Sequence, residues 1–313
     1  MENTSRIEGM VMRSTGSWYD VRLADGSIWP CRLRGKFKIK GLKVTNPIAV
    51  GDRVWVQAEE GEEQRGVILD IQSRENYLVR KSVHKTAHGH LLATNLDQAV
   101  LIITLTFPRT SLGFVDRFLV SAESFRIPTR LVFNKIDLMP QEALDYQQEL
   151  AELYEPLGYP CHFISALQGI GMTELREALN QKVTLVAGHS GVGKSTFINA
   201  LAPDLDLRTS EVSTFANKGV HTTTFAEMFE LGPETYLIDT PGIKELGLLD
   251  IGEEELGHYF PEMRALLNSC RFHNCRHVHE PGCAVKSGVE EGLIAESRYQ
   301  SYLSMLDGED NRR

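Results

Sequence analysis

The 313-residue sequence predicts a multidomain protein in three parts: an N-terminal all-β barrel of the OB type, a central doubly wound α/β domain, and a small C-terminal helical domain that binds metal. Three observations carry this. Residues 7–72 read as short strands punctuated by turn signals; from Gln98 onward apolar runs alternate with helical spacing around a glycine-rich loop; and three of the five cysteines crowd between Cys270 and Cys283 beside histidines. The boundaries follow as 1–75 for the barrel, 76–97 for a polar linker, 98–249 for the α/β domain and 250–313 for the last domain. A chain of this length exceeds the size at which a single core stops growing, about 250 to 300 residues.

In the first part, strands are expected at residues 9–13, 18–23, 27–33, 50–56 and 66–71. Ser14-Thr15-Gly16-Ser17 breaks the first pair, and Asp25-Gly26 is a strong hairpin cue. Five such strands suit a partly open OB barrel. Arg32, Arg34, Lys36, Lys38 and Lys40 fall on alternate positions, so an extended segment projects all five from one face and Leu33, Phe37 and Ile39 from the other. Such a stripe can track a phosphate backbone; it can equally discourage an exposed strand from pairing with another sheet. Trp18, Tyr19, Trp29 and Phe37 lie nearby as base-stacking surface or as core. Charge agrees with a polyanion partner for this part alone: residues 1–85 hold 15 Lys/Arg and 11 Asp/Glu, net +4, and the remainder is −13 within an overall −9. Residues 73–95, rich in Lys, His and Ser without clear period, give the expected linker.

From Gln98, strands are expected at 99–105, 129–133, 160–164, 183–187 and 236–238, with helices between them at 114–125, 141–157 and 172–179. Alternating β and α with buried strands means a doubly wound sheet. The strand at 183–187 leads into Gly188, His189, Ser190, Gly191, Val192, Gly193, Lys194, Ser195 and Thr196, a G-x-x-x-x-G-K-S loop that opens a helix at 196–201. Glycines let such a loop turn its N–H groups onto phosphate oxygens, and the helix N-terminus adds partial positive charge. Lys194 is then the group for the β- and γ-phosphates, and Ser195 a ligand of Mg2+.

Three further motifs follow strands. Asn134-Lys135-Ile136-Asp137 has the form N-K-x-D. Its carboxylate can accept from N1–H and N2–H of guanine, a pair adenine lacks, while the Asn amide can reach the base's acceptors and the Lys stem can cover the ring. Ser165-Ala166 resembles the S-A-x loop whose backbone N–H reads guanine O6. Asp239-Thr240-Pro241-Gly242 has the form D-x-x-G, in which Asp239 holds Mg2+ through water and Gly242 senses the γ-phosphate. A P-loop GTPase domain that takes GTP or GDP with Mg2+ is therefore expected. Its motif order is permuted. GTPases usually run P-loop, switch I threonine, D-x-x-G, N-K-x-D, S-A-x, whereas here the base-reading motifs come first, an arrangement permitted because domain termini often lie close together. The threonine that closes on Mg2+ must come from residues 218–224; Thr223 is the choice, with Thr222 and Thr224 beside it. Ile243 stands where a Ras-like enzyme places its water-orienting glutamine, which makes His221 the candidate for positioning water.

Cys270, Cys275, His277 and Cys283 form C-x4-C-x-H-x5-C. Three thiolates and an imidazole make a closed tetrahedral set for one structural Zn2+, with no position left for water; His273 and His279 compete with His277 for the fourth place. An odd number of cysteines clustered this way fits a reducing compartment rather than a disulfide framework. Tyr299, Tyr302, Leu303 and Leu306, at helical spacing, are expected to pack on the cluster.

This succession of motifs, between an OB-like barrel and a cysteine cluster, resembles the bacterial ribosome small subunit-dependent GTPase A family over essentially the whole chain. The resemblance implies a circularly permuted GTP hydrolase of low intrinsic activity that binds the small (30S) ribosomal subunit and its 16S rRNA late in maturation, is stimulated by it, and works among other assembly factors. It carries functional roles onto Asn134, Lys135 and Asp137, onto Gly188 to Thr196, and onto Cys270, Cys275, His277 and Cys283. Gly191 stands where potassium-activated GTPases place an asparagine, which argues against K+ dependence. Two rivals are an RNA-binding regulator that uses GTP as an occupancy switch and a small-molecule kinase, the latter disfavoured by the N-K-x-D motif. Residues 1–12 lack a signal-peptide core and no apolar run nears 18 residues, so a soluble, cytoplasmic monomer away from membranes is expected.

Overall fold

Buried side chains largely alternate with less buried ones along the first five strands, β1 (Ile7–Ser14), β2 (Tyr19–Leu23), β3 (Ile28–Leu33), β4 (Arg53–Ala58) and β5 (Gly66–Ile71), with Val11 and Met12 both buried where the β1–β2 register shifts. The structure is a computed structural model that describes residues 6–35, 44, 46–59, 64–81, 89–203, 226–239 and 251–308. Val11, Val21, Cys31, Val54, Val56 and Ile68 turn inward, all fully buried. The strands pair in the order β1-β2-β3-β5-β4, and Ile7 to Met10 of β1 pair again with Arg53 to Val56 of β4. The barrel is thus closed, where the sequence suggests a partly open one. Of the basic stripe, Arg32 is exposed and ion-paired with Glu59, and Arg34 is exposed; Lys36, Lys38 and Lys40 lie outside the described residues.

The expected linker at 76–97 is corrected. It contains an antiparallel pair, β6 (Tyr77–Lys81) and β7 (Gly89–Thr94). Leu78, Val79, Leu91, Leu92 and Ala93 are buried, and the polar residues around them hide that apolar content from a periodicity reading. Asp52, wholly buried, fastens the pair to the barrel: its carboxylate accepts from Arg74 Nε and Nη2 (both 2.7 Å), Ala49 N (2.9 Å) and Thr94 Oγ1 (2.9 Å).

The α/β domain comprises β8 (Gln98–Ile103), α1 (Leu112–Ser124), β9 (Thr129–Asn134), α2 (Gln141–Tyr154), β10 (Cys161–Ile164), α3 (Met172–Leu179), β11 (Val183–Ala187), α4 (Lys194–Leu201), β12 (Glu227–Gly232) and β13 (Thr235–Asp239). Strand order is β10-β9-β8-β11-β13-β12, parallel except for β12. Leu101, Leu131 and Leu185 face α1 and α2 on one side; Val100, Val132 and Val186 face α3 and α4 on the other. Strand β12 is absent from the sequence reading, since its run Glu227-Met228-Phe229-Glu230 is short and only half apolar. It is nevertheless the joint of the molecule. Glu227 bridges to Arg13 of β1, and Arg22 of the barrel donates to Glu230 Oε1 (3.0 Å) and to the Tyr236 hydroxyl (3.2 Å), so the barrel and the sheet of the α/β domain form one eleven-stranded sheet.

The last domain is helical, as expected: a 3-10 turn at Leu256–Tyr259, then α5 (Pro261–Arg264), α6 (Ala284–Glu290) and α7 (Glu296–Leu306). Leu256, Phe260, Met263, Val285, Tyr302 and Met305 pack around Val120 of α1. Arg298, buried with a side chain 1% exposed, sits in that seam and donates to Asp116 Oδ1 of α1 (2.6 Å) and to both oxygens of Glu262 (2.7 and 3.2 Å). No helix among the described residues is long and apolar enough to cross a membrane.

Candidate nucleotide site and metal centre

Parallel strands deliver their following loops to one edge of the sheet, the usual place for a ligand in such folds. Loops after β8, β9, β10 and β11 meet there. The loop after β11 needs its glycines: Gly188, Gly191 and Gly193 have φ of 148°, 86° and 96°. At Gly193 a Cβ would come within 2.5 Å of Asn134 Nδ2, so the close approach of two loops also requires glycine. Gly193 precedes α4, in whose first turn Lys194, Ser195 and Thr196 lie half-buried. Lys194 Nζ donates to the carbonyls of Gly188 and His189 (both 2.8 Å), holding the loop as a ring.

Asn134 ends β9 and is 2% exposed. Its Nδ2 donates to Val192 O (2.8 Å) and its Oδ1 accepts from Ala166 N (3.1 Å), so one side chain cross-braces the N-K-x-D, phosphate and S-A-x loops. The Asn134 side chain thus engages two backbones, Val192 and Ala166. Ser165 shapes its turn, exchanging backbone bonds with Ile170 and accepting from Gln168 N at Oγ (3.1 Å). Lys135, with φ of 66°, donates from Nζ to Phe107 O and Gly191 O (both 2.7 Å), and burial lowers its pKa. Ile136 and Asp137 follow in a half-buried 3-10 turn on the same rim. The fourth loop, residues 104–111, escapes motif reading; Thr104 N and O bond Thr110, and Pro108 packs against Gly191. His189 stacks on Phe114 of α1 with centroids 3.8 Å apart.

Asp239, at the end of β13, pairs in register with Val186, which brings it beside the start of the phosphate loop. His221, Thr222, Thr223, Thr224 and Gly242 lie outside the described residues.

The metal centre gathers Cys270, Cys275, His277 and Cys283, whose ligand atoms all lie within 4.8 Å of one another; His273 and His279 are not of this set. His277 Nδ1 is 3.4 Å from Cys283 Sγ and 3.6 Å from Cys270 Sγ. Zinc bonds of about 2.0 to 2.3 Å in a tetrahedron put ligand atoms roughly 3.4 to 3.8 Å apart, so the donor set fits in chemistry and in spacing. Burial lowers the His277 pKa and favours the neutral ring that binds metal. His277 adopts φ of 59°, and Tyr299 and Tyr302 of α7 donate to the carbonyls of His277 and Arg276 (both 2.7 Å), the packing that the helical spacing predicts.

Residues 71–249 match the family model described as RsgA GTPase, and residues 8–68 match that of the RsgA N-terminal domain. A Bacteroides fragilis protein named small ribosomal subunit biogenesis GTPase RsgA is 50% identical over 304 residues, 97% of each chain. Its Cytophaga hutchinsonii namesake is 51% identical over 307 residues, 98% of this chain and 100% of that one. Among solved structures, YjeQ from Thermotoga maritima superposes with a TM-score of 0.78 at 38% identity, covering 99% of this chain and 100% of that one. YloQ, described as a circularly permuted GTPase, gives 0.74 at 31%, covering 100% and 98%.

Proposed function

We propose a function for this chain from one premise: it belongs to the RsgA GTPase family. As a member it is a GTPase, with GTP, GDP and Mg2+ as its ligands. Our reading is that it hydrolyses GTP during biogenesis of the small ribosomal subunit, as its relatives' names state for them, that the subunit stimulates it, and that the barrel contacts rRNA. The observation that carries the nucleotide half is Asn134, whose two bonds bring the base-reading and phosphate loops onto one rim. On that rim Asp137 selects guanine, with Lys135, Ile136, Ser165 and Ala166 forming the base pocket. Gly188 to Thr196 cradle the phosphates, Lys194 neutralises them, and Ser195, Thr223 and Asp239 are the residues to hold Mg2+, which would supply charge stabilisation at the phosphates. His221 positions water, because Ile243 cannot. Cys270, Cys275, His277 and Cys283 hold a structural zinc ion. For rRNA, the barrel offers Trp18, 40% exposed, with the Arg65 guanidinium 5.8 Å above its ring, a stacking and charge pair suited to a nucleotide.

GTP turnover with and without purified small subunits tests the reading. Strong stimulation is the expected result. Binding without stimulation would favour a regulator that uses GTP as an occupancy signal, and neither binding nor stimulation would end the proposal.

A further inference from the structure

One helix touches both the phosphate loop and the metal domain. At the start of α1, Phe114 is 5% exposed and its ring stacks on His189 at 3.8 Å with a 32° tilt. Two residues on, about 200° around the helix, Asp116 points to the opposite partner. It accepts from Arg298 Nη1 of α7 (2.6 Å) and from the Tyr154 hydroxyl (2.8 Å) and is fully buried. Helix α7 in turn holds the metal loop through Tyr299 and Tyr302. Every step from Cys270–Cys283 to His189 is therefore a short contact, at least half-buried, or a helical segment.

We propose that α1 is the lever through which the metal domain sets the phosphate loop, and that Phe114 is a positioning residue for hydrolysis acting through His189. The proposal rests on the reading that subunit contact raises turnover, and it names the route inside the chain. Arg298, gripped by Asp116 and Glu262, makes α7 and α1 move together. A tilt of α1 must then carry His189 with Phe114 or break the ring stack. The loop can follow because Gly188 and Gly191, on either side of His189 and Ser190, stand at φ of 148° and 86°. Adjacency alone does not establish coupling; a double-mutant cycle does.

The test uses full-length wild type, Phe114→Leu, Glu262→Gln, the double variant, and Phe114→Tyr, which keeps the ring. Each is checked for folding by circular dichroism and for subunit binding by sedimentation. Phe114→Leu and Glu262→Gln should each lower subunit-stimulated kcat by roughly fivefold to a hundredfold, the usual range for coupled sites, with KM for GTP nearly unmoved. The double variant should be no worse than the worse single one, since both interrupt one route, and Phe114→Tyr should retain stimulation. Losses that multiply, or full stimulation in Phe114→Leu, would overturn the lever. A second arm needs no ribosome: a non-hydrolysable GTP analogue should slow hydrogen exchange in both α1 and α7 of the wild type, and in α7 no longer when Phe114 is leucine. If wild type proves unstimulated, the functional reading falls while this arm still decides the lever; an α7 indifferent to nucleotide in wild type overturns it.

Discussion

Replacing Arg298 by methionine isolates the energetics of the seam between α1 and α7. The guanidinium meets Asp116 at 2.6 Å and Glu262 at 2.7 and 3.2 Å, and lies 4.7 Å from the Phe260 ring centroid. Methionine can fill the space of the stem, but it leaves two buried carboxylates facing each other without a cation. Breaking a buried ion pair by removing one partner costs about 3 to 5 kcal/mol. At tenfold per 1.4 kcal/mol that is roughly a hundredfold to several thousandfold in the local opening equilibrium. The assay can be local, because Trp18, Trp29 and Trp55 are the chain's three tryptophans and all lie in the barrel. Tryptophan fluorescence in urea thus follows the barrel, while hydrogen exchange over residues 284–306 follows the seam. Exchange should accelerate by the stated factor with the fluorescence midpoint unchanged, and Asp116→Asn added to Arg298→Met should recover part of the protection by removing one uncompensated charge. Unchanged α7 exchange would refute the assigned energetics, and an equal shift of both probes would show that the domains do not open separately.

Asp137→Asn should exchange an acceptor for a partial donor, weakening GTP by about 1 to 3 kcal/mol and making xanthine nucleotide the better ligand; calorimetric titration of both nucleotides decides it. His221→Ala should lower kcat by roughly tenfold to thousandfold with nucleotide affinity intact, and wild-type turnover in that variant, measured with small subunits present, removes the assignment. Gly193→Ala, which forces a side chain into positive φ and toward Asn134, should cost about 1 to 2 kcal/mol for the backbone alone and raise KM for GTP; an unaltered KM means that the loops part freely. Cys275→Ser should lower zinc content, measured by metal analysis, and deprotect residues 270–290 in hydrogen exchange while GTP binding persists; a fully protected loop without metal would show that apolar packing suffices there.

The chemistry of this chain is legible because it depends on spacing. On the proposed reading, a phosphate loop, a base-selecting carboxylate and four metal ligands each need fixed residue types at fixed separations, so Lys194, Asp137 and Cys270 stand out in one sequence. Asn134 stands out as well, yet its work as a cross-brace depends on Val192 and Ala166, which no local pattern associates with it. The same holds for Arg298 and Asp116: charged residues on amphipathic helices read as solvated, and only the seam that they share makes them interior. Strands β6, β7 and β12 are missed for a related reason. In β6 and β7 polar neighbours mask the apolar residues, and β12 has few; it is packing in the fold, with Glu227 paired to Asp239 and bridged to Arg13, that makes them strands.

The order of strands in the eleven-stranded sheet has a consequence for how the chain emerges during synthesis. The barrel and the trio β8, β9 and β10 are all made before β11, β12 and β13, yet those three lie between β8 and β1 in the finished sheet. Domains tend to fold as they leave the ribosome, N-terminal part first. Two flanks of this sheet are thus ready before its middle exists, and the edge of β8 waits for β11. When β11 arrives it covers that edge and exposes its own, in which Thr184 to Ala187 are destined for complete burial. Unpaired edges of this kind recruit other chains. Between completion of β11 and release of Asp239, a strand destined for the centre of the sheet has one edge without its neighbour.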